Sequence, residues 1–177
     1  MRDEVAFRLV RVPQGWTGVA WTERGLCSLV LPRASREQAA SDVMRGNPDA
    51  RLSQGSCGDI LQRLEQYFSG ERVGFPDVVD LGAAPAFRQE VWRAAREIQY
   101  GETRTYGWLA ELIGRPKAPR AVGQALGANP LPLVIPCHRV LGSSGDLRGF
   151  ADGLEMKSTL LALGGISRVK AAARASL

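Results

Sequence analysis

The hydrophobic pattern changes character along the chain. In the first third, "VAFRLVRV" and "TGVAWTERGLCSLVLP" are rich in strand-forming residues around a turn at Glu23–Gly25, which predicts a hairpin-rich sheet. "SREQAASDVMRG" then reads as a short helix, with Ser35 as N-cap and Gly46 beyond its end. In "SCGDILQRLEQYFSG", Ile60, Leu61, Leu64, Tyr67 and Phe68 recur at helical spacing on one face, and Gly70 follows as a stop. "ERVGFPDVVDLGAAP" has no helical period and predicts a connection.

The second half is predicted to be mainly helical. Phe87, Val91, Trp92, Ala95 and Ile98 form one apolar stripe that ends at "YGET". "YGWLAELIG" and "RAVGQALGAN" are two short helices joined by the turn "RPKAP", a helix-turn-helix pattern that a plain αα-corner fits as well. The apolar run Leu131, Leu133, Val134, Ile135 predicts a buried strand broken at Pro136. "LEMKSTLLAL" is a last helix, stopped at Gly164–Gly165. A basic, Ala-rich tail follows over 167–177. The expected organisation is a supporting domain over 1–84, a second domain over 85–166, and the tail.

Length and composition leave most function classes open. The 177 residues are 45% hydrophobic and 23% charged, ordinary values for a globular protein with a real core. No apolar run is long enough to span a bilayer, and "MRDEVAFRLV" lacks the apolar stretch of a signal peptide, so a cytoplasmic location is expected (nucleoid-associated in a prokaryote). The net charge of +5 is uneven: to Pro85 there are 10 Lys+Arg against 11 Asp+Glu, and from residue 86 onward 13 against 7. Such a surplus attracts polyanions, nucleic acid first. Neither GxGxxG nor GxxxxGK[ST] occurs.

Cysteine usage narrows the choice. Cys27, Cys57 and Cys137 are odd in number and widely spaced, without CxxC, so neither a disulfide framework nor a metal site is expected. Cys137 stands beside His138, the one histidine in the chain. A free thiol has a pKa of about 8.5, and a neighbouring base or cation lowers it. His138 and Arg139 are the candidates for that task. With no second histidine, and with adjacent side chains in extended chain facing opposite ways, a hydrolytic cysteine enzyme is disfavoured. A thiolate attacking an alkyl carbon would instead form a thioether, which water does not readily cleave, and such a protein would act once.

These segments resemble the O6-alkylguanine-DNA alkyltransferase family. "NPLPLVIPCHRVLGSSG" is similar to its Pro-Cys-His-Arg-Val active-site run, and "IQYGETRTYGWLAELIG" to its "IPYGET" run, with Gln99 in place of the usual proline. "KAPRAVGQALGANP" resembles its recognition helix, "GLEMKSTLLALGG" its last helix, and "LQRLEQYFSGERVGF" part of its first half. The resemblance implies an α+β protein: an N-terminal RNase H-like sheet domain and a C-terminal helical, winged-helix-like domain with a helix-turn-helix. It implies irreversible, single-turnover transfer of the alkyl group from O6-alkylguanine (and O4-alkylthymine) in DNA to Cys137, with no cofactor and no metal. His138 would take the thiol proton through a water, Asn129 would hold the active-site turn, and Tyr106 would press on a phosphate and donate to the leaving guanine. Arg120 would fill the space of the flipped base. Ala121, Gly123 and Gln124 would meet the minor groove, and Val140, Phe150 and Ala151 would line the base pocket. The implied partner is double-stranded DNA, bound by a monomer with little regard to sequence.

Three positions depart from the family pattern. The glutamate that usually anchors the histidine is replaced by Gly164, with Glu155 too early in its helix to substitute. Phe150 stands where tyrosine is frequent. Asp152 occupies a usual glycine, which predicts poor acceptance of bulky O6 adducts. The missing glutamate keeps a second reading open, a slow or non-repairing binder that flags alkyl lesions.

Overall fold

The computed structural model describes residues 3–82 and 84–166; the basic tail lies outside the described residues. The chain forms two compact units, residues 3–82 with Pro130–Val134, and Ala84–Asn129 with residues 135–166.

In the first unit, the strand-forming stretches become β1 (Ala6–Val12), β2 (Gly15–Thr22) and β3 (Gly25–Arg33), paired antiparallel in sequence order. The predicted turn is in place, joining Thr22 to Gly25. Helix α1 (Arg36–Gly46) then carries the chain to β4 (Arg51–Leu52), which lies parallel to β1 and gives the order β3-β2-β1-β4. Ser35 caps α1, its hydroxyl accepting the Gln38 N–H. Gly46 is the last helical residue rather than the first beyond it, and Asn47 takes the C-cap. The helix lies close on the sheet at Gly18, where a Cβ would come within 2.7 Å of Val43 and 2.9 Å of Leu9.

Helix α2 (Ile60–Phe68) buries Ile60, Leu64, Tyr67 and Phe68, the expected face, with Leu61 half-buried at its flank. Each such side chain contributes about 2 kcal/mol, so packing rather than helix propensity holds this nine-residue element. The predicted connection has no helix, but it is not idle. Leu26 donates to Val78 O at 2.9 Å and accepts from Asp80 N at 2.7 Å, so the segment runs along β3 as a partial strand.

The second unit is mainly helical, as its periodicity predicts. Helices α3 (Ala86–Ala95), α4 (Tyr106–Leu112) and α5 (Pro119–Gly127) pack on one another, and the Trp92 indole N–H donates to Ala125 O at 2.7 Å in their midst. Pro119, not Arg120, opens α5, since a proline at the first helical position loses no hydrogen bond. Helix α6 (Leu154–Leu163) ends at Gly164. A two-stranded parallel ladder pairs β5 (Arg104–Thr105) with β6 (Val140–Leu141).

The strand expected over Leu131–Ile135 does not form. These residues are as buried as predicted, but the chain turns at Leu133, which adopts φ +73. Pro132 has no N–H to give a ladder, and a left-handed residue after it ends any extended run.

Candidate active site

Two segments far apart in sequence meet through the β5–β6 ladder. Arg104 pairs with Val140 and Thr105 with Leu141. Thr105 also caps α4 by accepting the Trp108 N–H at 3.0 Å, so Tyr106 opens that helix directly beside the ladder. On the other strand, a single 3-10 turn, Cys137–Arg139, runs straight into Val140. Cys137 and Tyr106 are thereby fixed near each other by backbone geometry, before any side-chain contact is counted.

Cys137 is 7% exposed. The Asn129 amide donates to its sulfur at 3.1 Å and to Ile135 O at 2.8 Å, holding the bend that presents the thiol. Burial pushes the thiol up to about 11, against smaller opposing effects of the Asn129 hydrogen bond and the Lys157 charge. The expected depression by His138 and Arg139 is therefore not realised. The Arg139 guanidinium turns away, donating to Ile98 O at 2.9 Å and lying over the Tyr100 ring. His138 is wholly buried, and neither ring nitrogen has a hydrogen-bond partner among the described residues. Burial, with the positive charges of Arg139 and Lys157, holds its imidazole well below the usual range. Glu155 is exposed on α6 and gives it no support.

Lys157 was not anticipated. Its side chain is fully buried, and its ammonium donates to Val140 O at 2.8 Å, Arg148 O at 3.2 Å and the Tyr106 hydroxyl at a long 3.4 Å. Burial lowers its pKa to about 8, partly offset by Cys137 and Asp146. Burial likewise raises the Tyr106 phenol, and negative charge at Cys137 adds to this. A signal for Lys157 exists in "MKSTLLAL": it sits three and four residues before the buried Leu160 and Leu161, a lone cation on an apolar stripe.

A cavity of about 910 Å³ opens within this unit. Phe150 and Ala151, expected to line the base pocket, help to wall it, together with Tyr106, Arg120, Gly123 and Gln124, which were expected at the DNA. Gly123 lies under the Tyr106 ring, where even a Cβ would touch it at 3.6 Å. Val140, also expected at the pocket, is fully buried beneath it and accepts from Lys157 through its carbonyl, and Ala121 is half-buried on α5. Arg148, also not anticipated, is a further wall residue.

Residues 86–166 match the family model described as the 6-O-methylguanine DNA methyltransferase DNA-binding domain. A methylated-DNA–protein-cysteine methyltransferase of Methanosarcina barkeri is 51% identical over 161 residues, covering 89% of this chain and 95% of that protein. The chain belongs to this family. The protein of the same name from Mycolicibacterium paratuberculosis is 52% identical over 103 residues, a match spanning 58% of this chain and 62% of the relative. A crystal structure of Mycobacterium tuberculosis OGT in complex with DNA aligns at a TM-score of 0.75 with 35% identity, over 90% of this chain and 93% of that one. Membership gives the Cys137–Asn129 contact its context within this methyltransferase family.

Proposed function

We propose that the protein repairs DNA by direct reversal, taking the alkyl group of O6-alkylguanine onto Cys137 once and irreversibly. The observation that carries this reading is the thiol itself, buried, aimed by Asn129, and within electrostatic reach of Lys157 and of Tyr106, a wall residue of a cavity large enough for a base. A double-stranded DNA partner is supported by the basic second half of the chain and by the DNA complex of the M. tuberculosis relative. In this reading α4 and α5 form the helix-turn-helix of a winged-helix-like domain, and α5 approaches the minor groove of duplex DNA. Gly123, Gln124 and Ala121 allow close approach, and Arg120 fills the gap left by the flipped nucleotide, with little regard to sequence. The β3-β2-β1-β4 order with its α1 crossover supports an RNase H-like reading of the first unit.

The chemistry follows from the resting charges. The thiol is protonated at neutral pH, and forming a free thiolate from a group at about 11 costs on the order of 5 kcal/mol. Deprotonation therefore accompanies attack rather than preceding it. A sulfur–carbon bond forms as the bond between the alkyl carbon and O6 breaks; the thiol proton passes to His138 through water, and the Tyr106 hydroxyl gives a proton to the departing guanine. Lys157, within hydrogen-bonding distance of that hydroxyl, is positioned to return one.

The deciding experiment mixes the purified protein with equimolar duplex DNA carrying one O6-methylguanine and weighs the intact protein. A stoichiometric gain of one methyl on Cys137 is expected. Lesion binding without any mass change would replace this reading with that of a lesion-flagging protein.

A further inference from the structure

Arg148 sits in the loop between β6 and α6, in a setting more constrained than an exposed arginine requires. Its Nε donates to Asp146 Oδ2 at 2.7 Å, while Ser144 Oγ donates to the other oxygen of that carboxylate at 2.6 Å. The Asp146 carboxylate is only 8% exposed, and the Ser144 hydrogen bond holds its pKa below the usual range. The loop main chain is closed by Gly142 N to Asp146 O at 2.8 Å and Gly145 N to Gly142 O at 2.9 Å. Gly142 has no space for a side chain: a Cβ would fall on the Asp146 carboxylate and within 2.8 Å of Arg148 Nε. From the other side, buried Lys157 holds the Arg148 carbonyl. Both the backbone and the inner edge of the guanidinium are thus immobilised, and the side chain remains 60% exposed on the wall of the cavity.

With the guanidinium 60% exposed, water screens much of this ion pair, which leaves most of the arginine's donors unused by the fold. With Nε occupied, the two terminal nitrogens keep the planar fork that matches two oxygens of a phosphodiester. We propose that Arg148 is a DNA-binding residue, gripping a backbone phosphate at the cavity that Arg120 also walls, with Asp146 and Ser144 as its positioning residues. This assignment rests on the proposed DNA-repair function and adds to it a contact independent of Arg120. A preset fork loses less side-chain entropy on binding than a free arginine, which offsets the negative charge that Asp146 brings to the site.

The test is the salt dependence of duplex binding, measured by fluorescence anisotropy with undamaged and O6-methylguanine DNA. Each phosphate neutralised contributes about one to the slope of log affinity against log salt. Arg148→Gln is expected to lower that slope by about one and to weaken both duplexes equally, by about tenfold. Arg148→Lys, which keeps the charge and loses the fork, is expected to retain the slope with weaker binding. An Arg148→Gln slope equal to wild type, in protein whose circular dichroism is unchanged, would overturn this assignment and leave the repair function standing. Wild-type protein that bound neither duplex would overturn both.

Discussion

Two clusters, one in each unit, treat buried charge in opposite ways. In the first, Arg63 is 13% exposed and grips Asp77, itself 12% exposed, through two nitrogens at 2.6 and 2.9 Å, while Asp59 adds a third carboxylate contact. The Asp77 hydrogen bond drives the Arg63 pKa upward, and Arg63 in turn holds the Asp59 carboxyl below its usual range. Both of these shifts favour the charged form. In the second unit, burial pushes Cys137 up, His138 down and Lys157 down, and these three shifts favour the neutral form. Lys157 has only uncharged oxygens as hydrogen-bond partners, and His138 has none among the described residues. The Arg63 cluster neutralises its charges to hold a fold together. The group around Cys137 keeps titratable side chains poorly stabilised in their charged states, a condition under which protons move readily.

That contrast breaks most completely at Cys137. Cys137→Ser should abolish methyl gain in the intact-mass assay while leaving the thermal midpoint close to wild type. In the first unit, Arg63→Met removes the bidentate ion pair to the buried Asp77 carboxylate and should cost about 3 kcal/mol of stability, read as a lowered urea midpoint. It should leave methyl transfer by folded protein intact, and loss of transfer in folded Arg63→Met would contradict the division of labour.

Lys157 sharpens the contrast through pH. Its folded pKa of about 8 lies below the unfolded value of 10.5, so above pH 8 the unfolded chain holds more protons. Stability from this group must therefore rise with pH, by up to about 1.4 kcal/mol per unit. Cys137, raised from 9.0 to about 11, acts in the opposite direction above pH 9. The clean window is pH 8–9, where the wild-type urea midpoint should climb relative to Lys157→Met. Parallel curves would mean that Lys157 is not the strained cation described here.

Gly164→Glu attempts to make the second unit more like the first by giving His138 a carboxylate. Gly164 has φ −78, which any residue tolerates. A stabilised imidazolium should speed methyl transfer by roughly tenfold at most. No acceleration would show that His138 does not carry the thiol proton. The smallest effect is expected for Ser35→Ala, which removes the α1 cap and about 1 kcal/mol of stability without touching transfer.

Much was legible in the sequence where a rule is local. Ser35, the α2 face and the α3 stripe follow from capping and periodicity, which depend on neighbours a few residues apart. The Cys137–His138 pair and the basic second half pointed to the chemistry and the partner. The run from Leu131 to Ile135 shows the limit: its burial was readable, because burial follows from apolarity, but its shape was not. A single left-handed residue, Leu133, and a proline without a donor turned an expected strand into a bend.

Composition and motif by themselves therefore pointed to a mixed α+β fold, a candidate acceptor thiol and a polyanionic partner, since each depends on which side chains are present. Tertiary structure alone decided the protonation states and the partners. The thiol is raised rather than lowered because packing excludes water from it, and His138 has no hydrogen-bond partner among the described residues because packing closes over both ring nitrogens. Lys157 meets Tyr106 across 51 residues, and Arg148 is set by Asp146 and Gly142, because the β5–β6 ladder and the closed loop bring them together. Desolvation and long-range proximity are properties of a packed volume, and no window of sequence contains them.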